Sequence, residues 1–249
     1  MGALALGVAA CGLDLVGARL DGADAGTTSA TPGASASPSG STTPFDAGGS
    51  DSPVDGGSSS GDAGVASLTY ARTAAPSSVN LTTEGTGDWA FWGSGPPTQR
   101  KSGLSHVLAD YAVSGGPTST SPSSNDPTTF TWQDGTPNTT ESGTTDHFFL
   151  KGTIGAAATF LVDATAATHT AFFYLGLNRT RARFEVDFTD GSVPVQSEEP
   201  EQNDGALAFR YAITFATPAA GVKLRVKWTL LTTPDLANST VRICAATYQ

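Results

Sequence analysis

The feature that most constrains the fold of this chain is an alternation of apolar and other residues along short runs. In 181–188, 207–215 and 222–230, every second side chain is apolar and those between are small, polar or charged. Successive side chains of a β-strand point to opposite faces, so this period of two predicts strands with one buried face. From 79 to 248 no window shows the 3.6-residue apolar period of a long helix, and the domain is therefore predicted to be all-β.

Further candidate strands recur between Gly, Asp, Asn and Pro residues, which are typical of turns. They are 79–83, 103–113, 128–133, 147–151, 158–163, 170–177 and 240–247. Asp190-Gly191 follows one alternating run and indicates a hairpin turn, because both residues tolerate a positive φ. About ten short antiparallel strands predict a β-sandwich, jelly-roll-like, with one face of each sheet buried and the other wet.

The wet faces of two strands carry charges of both signs. Arg181–Asp187 alternates basic and acidic side chains with apolar ones, and Lys223–Lys227 contributes three cations. One interpretation is cross-strand ion pairing, which contributes roughly 0.2–1 kcal/mol per pair. The other is a basic patch for an acidic glycan. The interleaved acidic residues favour ion pairing.

A different kind of segment stands at the start of the chain. The apolar run Ala3–Ala10 is much shorter than the roughly 20 residues that span a bilayer, and it resembles the apolar part of a secretion signal. It ends in Val8-Ala9-Ala10-Cys11, which fits the lipobox of bacterial lipoproteins, although no Lys or Arg precedes it. The pattern predicts lipidation of Cys11 and anchoring in a membrane. The alternative is a chance cysteine after an Ala/Leu-rich start.

Gly, Ser, Thr, Ala, Asp and Pro dominate the next stretch of the chain. Such a segment buries too little apolar surface to offset its ordering entropy, which predicts a disordered, acidic linker. We therefore divide the chain into a signal and anchor over 1–16, a linker over 17–71 and a β-sandwich domain over 72–249, and we expect the domain to fold without the linker. The net charge of −10 argues against nucleic acid as a partner.

Two stretches of the domain resemble the signatures of a module found in secreted bacterial proteins. The first is VNLTTEGTGDWAFWG at 79–93 and the second is FTWQDGTP at 130–137, with Arg100-Lys101 between them. The closing strand over 241–247 also fits. The resemblance covers nearly all of the domain and implies a secreted β-sandwich. The ligand of that family is not established, so the resemblance implies no function.

The resemblance singles out Asp88, Trp89, Trp92, Arg100, Lys101, Trp132 and Asp134. As a ligand site, the indole faces would stack on a sugar while the charged groups bond its hydroxyls. As packing, each buried aromatic side chain would contribute roughly 1.5–3 kcal/mol. Exposed indoles would favour the first interpretation and buried indoles the second. On a strand Trp89 and Trp92 would face opposite sides, whereas Trp228, which alternates with Val226 and Leu230, belongs to the core.

Neither metal nor catalytic chemistry has a clear pattern here. Asp88, Asp134, Glu84 and Asp190 offer carboxylate oxygens for a structural calcium, but no contiguous loop supplies the roughly six to eight oxygens that calcium needs. The three histidines and two cysteines show no ligand spacing, and Cys244 is expected to be a half-buried free thiol. No motif of nucleophilic, zinc-dependent or nucleotide-dependent catalysis is present. We therefore expect no enzyme activity and no cofactor.

These observations predict a lipoprotein at the outer membrane or cell surface that displays one binding module. Its leading ligand class is carbohydrate or envelope polysaccharide, held without catalysis. The alternative is a structural or adhesive module that binds a surface protein through sheet edges or loops and has no small ligand. Gly12, rather than Asp, follows the anchor cysteine and favours the outer membrane.

Overall fold

The computed structural model describes residues 64–249 apart from Pro96 and Leu236. The predicted anchor at Cys11 and the predicted linker up to residue 63 lie outside the described residues. The elements, in chain order, are β1 (Ser67–Ala74), β2 (Ser78–Asn80), α1 (Leu81–Glu84), β3 (Asp88–Phe91), β4 (Gln99–Lys101), β5 (Ala112–Ser114), β6 (Ser119–Ser124), β7 (Thr129–Trp132), β8 (Gly135–Thr136), β9 (Glu141–Thr144), β10 (Asp146–Lys151), β11 (Ala157–Asp163), β12 (His169–Phe188), β13 (Gln196–Glu198), β14 (Glu201–Ala216), β15 (Lys223–Leu230) and β16 (Thr240–Tyr248). No helix among them is long and apolar enough to cross a membrane.

One long strand, β12, belongs to both layers of a curled antiparallel sheet. Its first part, up to Arg181, pairs with β14 and β16, and β16 carries β10 and β3 on its other edge. Its last part, from Ala182, pairs with β15, which leads on to β11 and β5. We call the strands around the first part of β12, namely β14, β16, β10 and β3, the first layer. We call the strands beside its last part, namely β15, β11 and β5, the second layer. The predicted all-β antiparallel sandwich is confirmed, and the two runs predicted over 170–177 and 181–188 are one continuous strand.

Two bulges keep apolar side chains directed into the space between the layers. Before Arg179 the core-facing residues of β12 have odd numbers, from Ala171 to Leu177, and after it they have even numbers, from Ala182 to Phe188. Arg179 has a φ of 47° at the register shift against β14. An extra residue in a strand reverses the side to which the following side chains point. The bulge therefore lets the even-numbered apolar residues after Arg179 face the core. Cys244 has the same role in β16, where the register against β12 also shifts.

The main core lies between the two layers and is mostly aromatic and branched aliphatic. Its largest members include Trp92, Phe160, Phe173, Phe184, Tyr211 and Trp228. Trp228 is fully buried, and its Nε1 donates to the carbonyl of Gly176 at 3.2 Å. The prediction that Trp228 is a core residue is confirmed.

A second core lies on the outer face of the first layer. A small sheet of β2, β7 and β9, together with α1, covers this face. The second core comprises Val79, Leu81, Trp89, Phe91, Phe130, Trp132, Phe172, Tyr174, Cys244 and Ala245. Because β3 and β16 lie between two cores, every residue of both strands is buried. The prediction of one wet face is therefore wrong for these strands, and Cys244 is fully buried rather than half-buried.

On the second layer the outward face is wet and charged, as predicted. Lys227 Nζ lies 3.5 Å from Glu185 Oε2, and Arg225 Nε donates to Asp187 Oδ1 at 2.9 Å. Lys223 pairs with Asp163 on the neighbouring strand. These contacts confirm cross-strand ion pairing as the interpretation of the alternating charges.

Two predicted strands are wrong in part. Of 79–83, only Val79 and Asn80 belong to a strand, β2, because Asn80 caps the helical turn α1, which begins at Leu81. Residues 103–113 form a loop over most of their length, with an isolated bridge between Leu108 and Val162 and a strand only from Ala112 onwards. Side chains from β3 and β4 bond part of the backbone of this loop, as shown below, and β11 bonds another part, since the Ala109 N–H donates to the Leu161 carbonyl and the Asp163 N–H to the Val107 carbonyl.

Candidate functional site

Asp134 is the polar centre of the two signature stretches. Its Oδ1 accepts from Thr82 Oγ1 at 2.5 Å and from Trp89 Nε1 at 2.9 Å, and its Oδ2 accepts from Lys101 Nζ at 2.7 Å. Partial burial pushes the pKa of Asp134 upward, but the hydrogen bonds from Lys101, Thr82 and Trp89 outweigh it and hold the pKa below its usual range. The carboxylate thus joins α1, β3 and β4, and both of its oxygens already accept hydrogen bonds from protein donors.

The indoles of Trp89 and Trp132 pack against each other beneath this carboxylate. Their ring centroids lie 5.4 Å apart, and both side chains are at most 1% exposed. Trp132 Nε1 donates to the carbonyl of Asn138 at 2.9 Å. A Cβ at Gly135 would lie 2.5 Å from that Nε1 and 2.4 Å from that carbonyl oxygen, so the turn requires glycine. Both rings are thus buried, and Trp132 lies at the inner wall of an open pocket of about 630 Å³ that it shares with Gln133, Thr140, Glu141 and Ser142.

Glu84 fastens α1 to the first layer, a role that the sequence did not reveal. Its Oε2 accepts from Tyr174 Oη at 2.7 Å and from Thr247 Oγ1 at 3.0 Å, and its Oε1 accepts from Arg210 at 2.7 Å. The Arg210 guanidinium also lies 3.8 Å above the centre of the Phe172 ring. Burial, and then the neighbouring Glu84, raise the pKa of the Tyr174 hydroxyl. Asn80 caps the helical turn that ends at Glu84, but this local signal indicates only the turn, because the contacts of Glu84 join residues 90 to 163 positions apart.

Asp88 and Arg100 form a second group that holds the loop over 103–111. Asp88 is fully buried, and its carboxylate accepts from three backbone N–H groups, those of Trp89, Val107 and Leu108, at 2.8–3.1 Å. Arg100 donates to the Leu108 carbonyl at 2.6 Å. The structure therefore separates the predicted site residues into two groups with different tasks. Trp89 and Trp132 belong to the second core, and Lys101 and Asp134 bond each other at its edge. Asp88 and Arg100 hold the loop, and Trp92 packs against it from the main core.

The four carboxylates considered for calcium are spread over these contacts. Glu84, Asp88 and Asp134 bind protein donors as described above, and Asp190 accepts from the Ser192 N–H at 3.0 Å within its turn. Within residues 64–249, apart from the two positions named above, no group of three or more His, Cys, Asp or Glu side chains is placed to hold a metal ion.

Trp92 lines a pocket between the start of the β3–β4 connection and the 103–111 loop. The pocket has a volume of about 250 Å³ and is lined by Trp92, Gly95, Thr98, Asp110 and Tyr111. We call it the Trp92 pocket. The rings of Trp92 and Tyr111 meet edge to face with centroids 6.1 Å apart, and Trp92 packs behind on Phe160. Trp92 is only 1% exposed, and within the described part of the chain its Nε1 makes no hydrogen bond of full geometry, although Trp92 interacts with the Asp110 carboxylate and helps to lower the pKa of that group.

Asp110 stands at the rim of the Trp92 pocket with a fixed orientation. Its Oδ1 accepts from Thr98 Oγ1 at 2.8 Å and from Arg100 at 2.6 Å, while 63% of its side chain is exposed. Burial acts to raise the pKa of Asp110, and the hydrogen bonds from Thr98 and Arg100 more than compensate, so the pKa lies below its usual range. Burial, followed by the charge of Asp110, raises the pKa of Tyr111 to about 12. At neutral pH the rim therefore presents a carboxylate and a phenol.

No family model matches this chain, and no curated protein matches it. Among solved structures it is similar to the enzymatically active domain of bacteriophage CBA120 tailspike protein 4, at 16% identity over 55% of this chain and 19% of that chain, with a TM-score of 0.35. It is also similar to TmCBM61, solved with β-1,4-galactotriose (13% identity, 58% of this chain, 90% of that chain, TM-score 0.35), and to a family 16 carbohydrate-binding module (16% identity, 43% of this chain, 79% of that chain, TM-score 0.28). Two of these neighbours are thus carbohydrate-binding modules by name, but the scores carry no argument for this chain.

Proposed function

We propose that this domain is a non-catalytic glycan-binding module and that the Trp92 pocket is its binding site. The composition of the pocket carries the proposal: two aromatic rings form its walls, and a hydroxyl and a carboxylate stand at its rim. Sugar sites combine these features because the C–H faces of a sugar ring pack on aromatic side chains while its hydroxyls need hydrogen-bond partners. Trp92 and Arg100 both act on the rim carboxylate of Asp110, whose pKa they help to lower, so that it is an anionic acceptor for a sugar hydroxyl.

Arg100 is a positioning residue in this proposal. By bonding Asp110 and the Leu108 carbonyl together, it fixes the rim carboxylate relative to the aromatic walls. A carboxylate already held in place loses little freedom when it accepts a sugar hydroxyl, which improves affinity. We propose no reaction at this site, because Asp110 is the carboxylate among the described lining residues and glycoside hydrolysis uses a pair of carboxyl groups.

The setting of the module is part of the proposal. Lipidation at Cys11 would hold the chain on the outer membrane, and an acidic linker would carry the domain away from the lipid surface, with a span of roughly 40 Å for about 50 flexible residues. At that distance the Trp92 pocket would meet envelope or extracellular polysaccharide.

The alternative is a structural or adhesive display module with no small ligand. The burial of Trp89, Trp92, Trp132 and Trp228, each at most 1% exposed, favours this alternative because buried indoles contribute to packing. The two functions differ in whether the Trp92 pocket takes a soluble sugar.

Calorimetric titration of the purified chain with neutral trisaccharides of glucose, galactose and xylose tests the proposal. We expect one of them to bind, and we expect Tyr111→Ala and Thr98→Val each to weaken that binding by about tenfold or more, equivalent to about 1.4 kcal/mol. Thr98→Val alters the rim without touching either core. The matched control is Ile154→Ala in the β10–β11 connection, where the residue is 64% exposed and lines none of the cavities described, so that binding should not change. Absence of binding at millimolar sugar, or unchanged binding in both pocket variants, would favour the adhesive alternative.

A further inference from the structure

A second cavity lies on the outer face of the first layer, beside the second core. It has a volume of about 140 Å³, and its lining includes His147 and Phe149 of β10, Asn178 of β12 and Arg242 of β16. These side chains share a face because Phe149 pairs with Arg242 across the strands. Gly176 lies opposite Arg242 on the other side, and a Cβ there would come within 3.4 Å of the arginine stem. We call this space the Arg242 cavity.

The guanidinium of Arg242 is buried with too few partners. Only 5% of its side chain is exposed, and the nearest carboxylate oxygen, Asp126 Oδ2, lies 3.7 Å away, beyond hydrogen-bond distance. One of its nitrogens donates to the Asn125 carbonyl at 3.3 Å, and its Nε has no partner among the described residues. A guanidinium has five N–H donors and stays charged, so a buried one with a single bond lacks compensation.

Neither Asp126, which pairs with Arg242 at 3.7 Å from outside the cavity, nor His147 in its lining supplies full compensation. Burial raises the pKa of Asp126 despite the opposing effect of Thr128 and Arg242, which disfavours its anionic form. His147 is 2% exposed, and its Nδ1 has no partner within the described residues. Burial, and then the charge of Arg242, lower the pKa of His147 to about 4, so the ring is neutral at neutral pH. A neutral imidazole offers one donor and one acceptor to a ligand.

The mouth of the cavity adds a cation and an aromatic face. Lys151 lines it, and its Nζ lies 5.7 Å from the centre of the half-buried Phe149 ring. Asn178 Nδ2 donates to the Asn238 carbonyl at 2.7 Å, which fixes an amide at the opposite side. Two cations, Lys151 and Arg242, thus line one small cavity, although the net charge of the whole chain is −10.

We propose that the Arg242 cavity binds the carboxylate of a uronic-acid sugar. A planar carboxylate matches the guanidinium fork, and such charge-assisted pairs are the strongest hydrogen bonds of this kind. The Phe149 ring is placed to take the apolar face of the sugar that carries the carboxylate, and His147 and Asn178 to bond its hydroxyls. This inference does not depend on the Trp92 pocket.

Titration of the purified chain with glucuronic and galacturonic acid, beside glucose and galactose, tests the inference. We expect the uronic acids to bind and the neutral parent sugars to show no binding at the same concentrations. Arg242→Gln should weaken uronate binding by about tenfold or more. Lys227→Gln is the matched control, since Lys227 is a cation of the second layer that is paired with Glu185, and it should leave uronate binding unchanged.

Two further variants and two further ligands keep the test decisive if Arg242→Gln fails to fold. Lys151→Gln and Phe149→Ala alter the mouth of the cavity, and each should weaken uronate binding. Acetate and inorganic phosphate distinguish a sugar site from a simple anion site, because Phe149→Ala should not affect them. Equal binding of neutral and acidic sugars, equal affinity for acetate and uronate, or unchanged uronate binding in both mouth variants would overturn the inference.

Discussion

The first strand of the domain begins before the boundary that the sequence predicts. Strand β1 starts at Ser67, so it crosses the predicted division between linker and domain at residues 71 and 72. It pairs along eight residues with β14, from Ser67 opposite Ala216 to Ala74 opposite Phe209. A chain that begins at Arg72 would lose the first half of this strand, including every β1 residue that reaches the main core.

The cost of that truncation follows from two side chains. Leu68 is only 6% exposed, and burying a leucine contributes roughly 1.5–3 kcal/mol. The Tyr70 ring lies 5.2 Å from that of Phe184, an aromatic contact that contributes roughly 0.5–1.5 kcal/mol beyond its buried area. With the buried area of Tyr70 included, we expect the truncated chain to lose about 3–5 kcal/mol, a large share of the roughly 5–15 kcal/mol of a typical domain.

Urea unfolding followed by tryptophan fluorescence would measure this loss against a chain that begins at Gly64. Leu68→Ala in the longer chain should reproduce about half or more of the effect, whereas Thr69→Ala, whose side chain is exposed, should be close to neutral. The truncated chain should also associate, because it leaves the edge of β14 unpaired. Equal unfolding midpoints for the chains that begin at Gly64 and Arg72 would refute the reasoning.

Three further changes test the second core and the Arg242 cavity. Glu84→Gln should destabilise the domain by about 1.5–3 kcal/mol in urea unfolding, since it weakens a charged hydrogen bond to Arg210; an unchanged midpoint would contradict the role of Glu84. Gly135→Ala should cost about 1–3 kcal/mol by the same assay, because its Cβ would overlap Trp132. His147 has a pKa of about 4 in the fold and 6.5 as its ordinary value, so the unfolded chain binds more protons between these limits. Stability should therefore fall by up to about 3 kcal/mol as the pH drops through this window, and His147→Asn should remove that part of the slope.

The strands that the sequence predicts well are those with one wet face. In 207–215 and 222–230 the alternation alone identifies β14 and β15 and the side of each that faces the core. Strand β3 gives no such signal, because all four of its residues are buried between two cores. Its burial depends on the small sheet, whose strands come from three separate places along the chain. Periodicity within one window cannot report a contact of that kind.

The loop over 103–113 shows the opposite error. The sequence predicts a strand here, but before Ala112 the stretch contacts a neighbouring strand, β11, only around Leu108, and side chains hold much of the remaining backbone. The buried carboxylate of Asp88 takes two of its N–H groups, and Arg100 takes one of its carbonyls. Such bonds join residues eight to twenty positions apart and leave no local pattern. The two residues were recognised from the signatures, and their task became visible only in the fold.

The recognisable residues of this domain therefore hold its architecture together, and the groups with free binding capacity lie elsewhere. The carboxylates of Asp134 and Glu84 accept hydrogen bonds from protein donors, and the rings of Trp89 and Trp132 pack against each other. Buried donors without a full hydrogen bond among the described residues include Trp92 and Arg242, each of which lines an open cavity, as well as Arg210, Thr128 and Thr229, which line none of the cavities described above. Since an unpaired buried donor is costly to keep, a ligand that pairs with it gains more than one that meets a solvated group. The Trp92 pocket and the Arg242 cavity are for this reason the places where variants should change binding more than they change stability.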